Sequence, residues 1–239
     1  MDLRHEIISL IRHNRISTTE VADALGKAGV LPGVHAITPN QHRVGTVRPV
    51  FTAHDSNYAV HEQVRAVEEG DVVVVFSHGC EGRAILGDLI SKYILLYRGA
   101  EALVVDGLVR DAARLTREGY PIWAAGVSPL GCFNRPADPF PPEREQELRR
   151  RHEGGVAVCD GGGVVIIPPD RVGADMLERL ERIELQEDVW YYCLDTLKWD
   201  TKRIVCDKAY LSEPNILPEA FAERVGELAK PFDKKPDDD

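Results

Sequence analysis

The chain has 239 residues, 44% hydrophobic and 28% charged, the balance of a soluble globular protein long enough for one sizeable α/β domain. Its 29 basic and 39 acidic residues give a formal charge of −10, which opposes non-specific attraction to nucleic-acid phosphates. No apolar run approaches a membrane span and Met1-Asp2-Leu3-Arg4-His5 carries no signal-peptide core, so a cytoplasmic protein without nucleic-acid or membrane partners is expected.

Leu3, Ile7, Ile8, Leu10 and Ile11 recur at helical spacing and predict a first amphipathic helix. Ser17-Thr18-Thr19-Glu20 has capping-box spacing and predicts a second helix through about Lys27. Gly45 to Thr52 reads as a strand, Asn57 to Val67 as a helix, and Val72 to Phe76 as a strand covered on both faces. A loop, Ser77 to Gly82, precedes a helix opened by Gly87-Asp88 and running to about Tyr97. The pattern repeats: strand Ala102 to Val105, closed by an Asp106-Gly107 turn, then helix Asp111 to Glu118. Pro121 to Ala125 is a further strand, and proline-rich Arg135 to Pro142 is a surface excursion before a charged helix, Glu143 to about Arg151. Val156 to Cys159 and Val164 to Ile167 flank a glycine turn suited to a hairpin, and a long helix follows, Arg171 to Val189. Strands alternating with helices make residues 1–190 one layered α/β domain, with an insertion at about 135–153. Residues 191–230 then read as an aromatic C-terminal arm and 231–239 as a disordered tail.

The chemistry concentrates where the Leu103 strand ends. Arg110 and Asp111 stand together at the start of the next helix, the end of a strand where open α/β folds bind ligands. Asp111 also reads as an ordinary N-cap, with Arg110 as its salt-bridge partner. Gly87-Asp88-Leu89-Ile90 opens another helix, whose free first-turn amides suit a carboxylate. Paired, these supply an anion-binding helix end, a guanidinium and a carboxylate able to hold a hard cation, the parts a 2-oxo acid requires. The five cysteines form no Cys-x-x-Cys pair and read as reduced thiols; Cys80 beside His78 lacks a defined base and orienting group and reads as a bystander.

These motifs resemble the family that includes class II 4-hydroxy-4-methyl-2-oxoglutarate aldolases and the regulators of ribonuclease activity A. The residues that carry the resemblance are Ser17-Thr18 to Gly26, Gly70 to Val74, Gly87-Asp88-Leu89, Val105-Asp106-Gly107 to Arg110-Asp111, Gly126-Val127-Ser128-Pro129 and Asp160 to Pro168, spanning roughly 16 to 190. The resemblance implies an αββα layered, swivelling-domain-like fold of the RraA type, assembled as a homotrimer or homohexamer with active sites between subunits. It implies Asp111 as the ligand of Mg²⁺ or Mn²⁺, Arg110 as the contact to the substrate's 2-oxo oxygen, and the Gly87, Asp88, Leu89 and Ile90 amides as the carboxylate cradle. Glu187, with Glu184 second, is the placement of an acid supplied by a neighbouring subunit, and Asp88, or a water it orients, is placed as the proton carrier. The expected activity is carbon-carbon cleavage of a small 4-hydroxy-2-oxo acid, decarboxylation of oxaloacetate, or both, through a pyruvate enolate. The other expectation is a non-catalytic regulator of a ribonuclease acting by protein contact. One departure is that His152-Glu153-Gly154-Gly155 stands where the family has a Pro-Gly-Asp turn.

Overall fold

In the computed structural model, which describes residues 2–229, the N-terminal helices form where their caps dictate. Helix α1 (Leu3–Asn14) is capped by the Asp2 side chain accepting from the Arg4 amide, and it buries Ile7 and Ile11, one turn apart. Each such isoleucine contributes about 2 kcal/mol by leaving water. Helix α2 (Thr18–Ala24) starts with both halves of the capping box: the Glu20 amide donates to Ser17 Oγ at 3.2 Å and the Ser17 amide to Glu20 Oε2 at 2.7 Å.

One sheet of eight strands follows: β1 (His35–Ala36), β2 (Arg43–Ala53), β3 (Asp71–His78), β4 (Ala84–Leu86), β5 (Ala102–Val109), β6 (Ile122–Val127), β7 (Val156–Asp160) and β8 (Gly163–Ile167). Its order is β1-β6-β5-β3-β2-β7-β8, with β4 pairing on β5; β2, β3, β5 and β6 run parallel, and β7 and β8 form the expected antiparallel hairpin. Just before β1, the Leu31 amide donates to Val164 O and the Ile166 amide to Gly29 O, so the chain entering one edge also lies along the other and the sheet is nearly closed.

Two apolar layers explain the closure. Phe51, Val74, Phe76, Val104, Trp123, Cys159 and Ile166 come from both limbs of the sheet and pack together on its inner face. On the outer face Val73, Val75, Leu103 and Val105 meet Val60 and Val64 of the α3 segment, Ile90, Ile94 and Leu115. Here α3 is Tyr58–Gln63, α4 is Asp88–Lys92 running into a π-helical turn at Tyr93–Tyr97, and α5 is Ala112–Arg117. Helices α1 and α2 cover the β2-β7-β8 limb, which gives the αββα layering. Helix α6 (Pro142–His152) begins on proline, whose missing amide costs nothing at a helix start.

Two local readings change. Asp106-Gly107 does not close the strand: β5 runs on to Val109, with its register to β6 shifting between Val105 and Leu108. A Cβ on Gly107 would lie 2.6 Å from Ile85 Cδ1, so a larger residue there would have to displace the Ile85 side chain. Strand β4, three residues long, lies between the loop read at Ser77 to Gly82 and the helix opened by Gly87-Asp88, where no element was read.

By its internal contacts the chain divides at Ala174/Asp175 into two units. The second opens with nearly all of the long helix, α7 (Ala174–Asp195), and has an apolar core of its own: Leu185, Val189, Cys193, Ile204, Tyr210, Leu217, Val225 and Leu228. Within it the Trp190 indole donates to the Tyr210 hydroxyl at 3.2 Å, and a last short helix, α8, spans Glu219–Ala222. The tail expected at 231–239 lies outside the described residues. Among the described residues no helix is long and apolar enough to cross a membrane.

Candidate active site

Strand β4 is what brings the two sequence motifs together. It runs parallel to the end of β5, pairing Ala84 with Leu108 and Leu86 with Val109, and the Arg110 amide donates to Leu86 O at 3.0 Å. Two chain segments therefore leave the sheet side by side, one as Gly87-Asp88 into α4 and the other as Arg110-Asp111 into α5. Sequence distance is cancelled by a three-residue strand.

Asp111 occupies the left-handed region, φ 61° and ψ 27°, and its side chain makes no capping bond to α5. The N-cap reading therefore gives way: the carboxylate turns instead toward α4, where Oδ2 accepts the Asp88 amide at 3.2 Å. Holding a non-glycine residue there costs about 1 kcal/mol, less for Asp than for most residues. Arg110 Nε lies 3.6 Å from the same Oδ2. Asp88 directs its own carboxylate at Arg114, with Nη1 to Oδ2 at 2.6 Å.

Two glycines shape the slot around Arg110. A Cβ on Gly87 would overlap Asp111 Oδ2 and stand 2.7 Å from Arg110 Cγ; one on Gly131 would stand 2.6 Å from Arg110 Nη1. The guanidinium thus lies between two backbone walls, with its side chain still half exposed. A narrow cavity of about 70 Å³ beside it is lined by Gly87, Leu89, Ile90, Asn57, His61 and Cys132, among others. A wider recess of about 320 Å³ adjoins Asp88, Asp111 and Arg114.

The placement of the predicted residues is therefore specific. Gly87, Asp88, Arg110 and Asp111 meet; Leu89 is exposed and Ile90 buried on the same turn. The Asp88 amide is already committed to Asp111, so the cradle expected from four residues narrows to the first-turn amides beyond it. Glu187 and Glu184 lie half-buried on α7 in the second unit. Asn57 and His61, not among the site residues assigned from the sequence, also line the narrow cavity. Asn57 is 7% exposed and donates from Nδ2 to Ile85 O at 3.0 Å, while its Oδ1 has no hydrogen-bond partner. Only pairing across the sheet brings them to Arg110, and no local pattern marks them.

A recess of about 870 Å³ near α1 is lined in part by charges that pair with one another, Arg12 with Glu101 and Arg48 with Glu68 and Asp71. Among the described residues no group of three His, Cys, Asp or Glu side chains could hold a metal ion.

The chain is similar to known proteins in sequence and fold. The family model RraA-like (Aldolase/RraA) matches residues 18–175. A relative from Halalkalibacterium halodurans, named "Putative 4-hydroxy-4-methyl-2-oxoglutarate aldolase", is 28% identical over 178 residues, 68% of this chain and 78% of that protein. The crystal structure of an uncharacterized protein from Pseudomonas syringae superposes with a TM-score of 0.64 at 23% identity, covering 80% of this chain and 89% of that one. Streptomyces coelicolor RraAS2, described as an unusual member of the RNase ES inhibitor RraA protein family, superposes with a TM-score of 0.61 at 22% identity, covering 77% and 96%. The family model covers more than half of the chain and the fold agrees, and the chain belongs to the RraA-like family.

Proposed function

We propose that the protein is a metal-dependent carbon-carbon lyase acting on a small 2-oxo acid, either a 4-hydroxy-2-oxo acid or oxaloacetate. The observation that carries this reading is the delivery of Arg110 and Asp111 against Gly87, in a slot that only glycine leaves open. The name of the Halalkalibacterium halodurans relative supports the aldolase class.

In this reading each residue has a task. The amides at Leu89 and Ile90, which have no carbonyl four residues back in the helix, take the substrate carboxylate. The Arg110 guanidinium donates to the 2-oxo oxygen, where negative charge develops as the bond breaks. In aldol cleavage the 4-hydroxyl loses its proton, the C3–C4 bond breaks to leave an aldehyde or ketone, and the electron pair enters a pyruvate enolate that is then protonated at C3. Decarboxylation of oxaloacetate leaves the same enolate. Asp88, held by Arg114, or a water that it orients, moves the proton.

Asp111 would hold Mg²⁺ or Mn²⁺. Its carboxylate is more than one-third exposed and keeps Oδ1 outside the Asp88 bond, a sparse donor set that suits a hard cation retaining several waters. When bound, the ion supplies positive charge against the enolate. Exposed Leu89, Val127 and Leu130 near these strand ends, with Leu96 and Tyr97 at the far end of the helical segment that Asp88 opens, support a homotrimer or homohexamer, in which Glu187, or Glu184, of a neighbouring copy would complete the site. A ribonuclease regulator acting by protein contact is the alternative, supported by the fold it shares with RraAS2.

The test is pyruvate release from chelator-stripped protein given oxaloacetate or 4-hydroxy-4-methyl-2-oxoglutarate, with and without Mg²⁺ or Mn²⁺. Metal-dependent release above a protein-free metal blank is expected; release no faster than that blank with every substrate and metal would overturn the reading.

A further inference from the structure

Two cysteines remote in sequence meet behind the Arg110 slot. Cys80 ends the turn after β3, and Cys132 lies on the segment beside β4. Backbone bonds hold the two stretches in place: the Ala84 amide donates to Leu130 O at 2.7 Å, the Cys132 amide to Ala84 O at 2.9 Å, and Arg83 Nη1 to Gly131 O at 3.1 Å. The Asp55 amide donates to Gly79 O at 3.0 Å and the Phe133 amide to Asp55 O at 2.8 Å, so Cys80 and Cys132 are each next to a residue tied to Asp55; both pack in the same apolar cluster, and the Cys80 thiol donates to His78 O at 3.6 Å.

The pair is chemically asymmetric. The hydrogen bond from Cys132, aided by the Asp55 backbone and opposed by burial, pulls the Cys80 thiol down to about 7. The same bond holds the proton on Cys132 and pushes its thiol up. A thiolate is the nucleophilic form of cysteine, so Cys80 is the attacking sulfur and Cys132 the neighbour placed to resolve it. Cys80 is 7% exposed and borders a recess of about 330 Å³ that also reaches Ser77, His78, Asp106 and Arg144, which admits an oxidant the size of water. Cys159 and Cys193 are buried free thiols.

We infer that Cys80 and Cys132 form a peroxide-reactive dithiol that closes to an intramolecular disulfide. The Cys80 thiolate attacks one peroxide oxygen, the O–O bond breaks, and water leaves once the departing oxygen is protonated; sulfur is oxidised to the sulfenic acid and the peroxide is reduced. The Cys132 sulfur then attacks Cys80, loses its proton and expels the hydroxyl as a second water, forming the S–S bond. The net change is two thiols and one hydrogen peroxide to one disulfide and two waters.

Closure would draw Cys132 toward Cys80 and with it Gly131, the wall against the Arg110 guanidinium. This consequence, unlike the disulfide itself, rests on the lyase reading. Oxidation is therefore expected to lower pyruvate release at least severalfold, and dithiothreitol to restore it.

The experiment treats the native full-length protein with hydrogen peroxide, alkylates the remaining thiols and maps the peptides by mass spectrometry. The expected result is a Cys80–Cys132 linked peptide 2 Da lighter than its two thiol halves, reversed by dithiothreitol. Dimedone labelling should appear at Cys80 in the Cys132→Ser variant and be lost in Cys80→Ser. Persistence of both thiols, or linkage only through exposed Cys206, overturns the inference. A linked pair with unchanged pyruvate release overturns the coupling to Arg110. An inactive reduced protein that still links Cys80 to Cys132 counts against the lyase reading alone.

Discussion

Gly87 has an extended backbone, φ −143°, that any residue adopts, yet only glycine fits there. A methyl group would overlap the Asp111 carboxylate and press on Arg110 Cγ. Gly87→Ala should therefore displace the two groups that carry the chemistry while the core stays intact. Overpacking of this kind costs about 1–3 kcal/mol. Pyruvate release is expected to fall about 100-fold or more, the scale of losing one oriented donor to the developing charge. Measuring kcat beside urea unfolding checks it, and an active Gly87→Ala protein would mean that Asp111 does not work where it sits. How legible these residues were differs by type. Arg110 and Asp111 stand out because they follow an apolar run; Asp111 has an equally good local explanation as a helix cap, and the absence of a capping bond decides against it. Asn57 and His61 carry no such mark, since their role comes from being laid beside Arg110 by distant strands.

Among the elements, the α2 start, the β7-β8 hairpin and β6 are tied through one residue. Asp160 accepts the Thr18 amide at 2.8 Å, the Thr18 hydroxyl at 2.6 Å and the Gly162 amide at 2.7 Å, and its backbone carbonyl accepts the Trp123 indole at 2.7 Å. Its charge also lies at the positive end of α2. Asp160→Ala should destabilise the protein by about 2–4 kcal/mol, since bonds to a carboxylate contribute more than neutral ones and the partners are left without it. Chemical denaturation measures this, and a loss under about 0.5 kcal/mol, the scale of an ordinary surface change, would show the interlock to be incidental. Elements with a strong signal were readable from the chain: β3 carries the unbroken apolar run Val72 to Phe76 because both faces are covered there, and α1 repeats its isoleucines every turn. Strand β4 was not, because three residues are too few to show a period, and Asp106-Gly107 looked like a turn because a shift of register uses the same residues.

For the whole molecule, the near-closure of the sheet encloses an apolar interior, and one ionisable ring stands at its edge. His152, 9% exposed at the end of α6, stacks on Phe76 with ring centroids 5.5 Å apart. Burial first, then the Arg151 charge, pulls its pKa from 6.5 to about 4. The unfolded chain therefore binds a proton before the folded one, so stability present above pH 6.5 is lost as pH falls toward 4. Allowing for partial access of water to the ring, the loss is about 2 kcal/mol. His152→Phe keeps the stacking and removes the proton, so its stability should fall less between pH 6.5 and 4; identical slopes in the two proteins would place the acid sensitivity elsewhere.

The measurement that tests the account most directly is metal-dependent pyruvate release by Asp111→Asn beside the unchanged protein. Asparagine tolerates the left-handed backbone and can still accept the Asp88 amide, so the variant removes charge and little else. The account predicts an equally stable protein, within about 0.5 kcal/mol by urea unfolding, whose metal-dependent release is lost. Release at the normal rate from Asp111→Asn would contradict it.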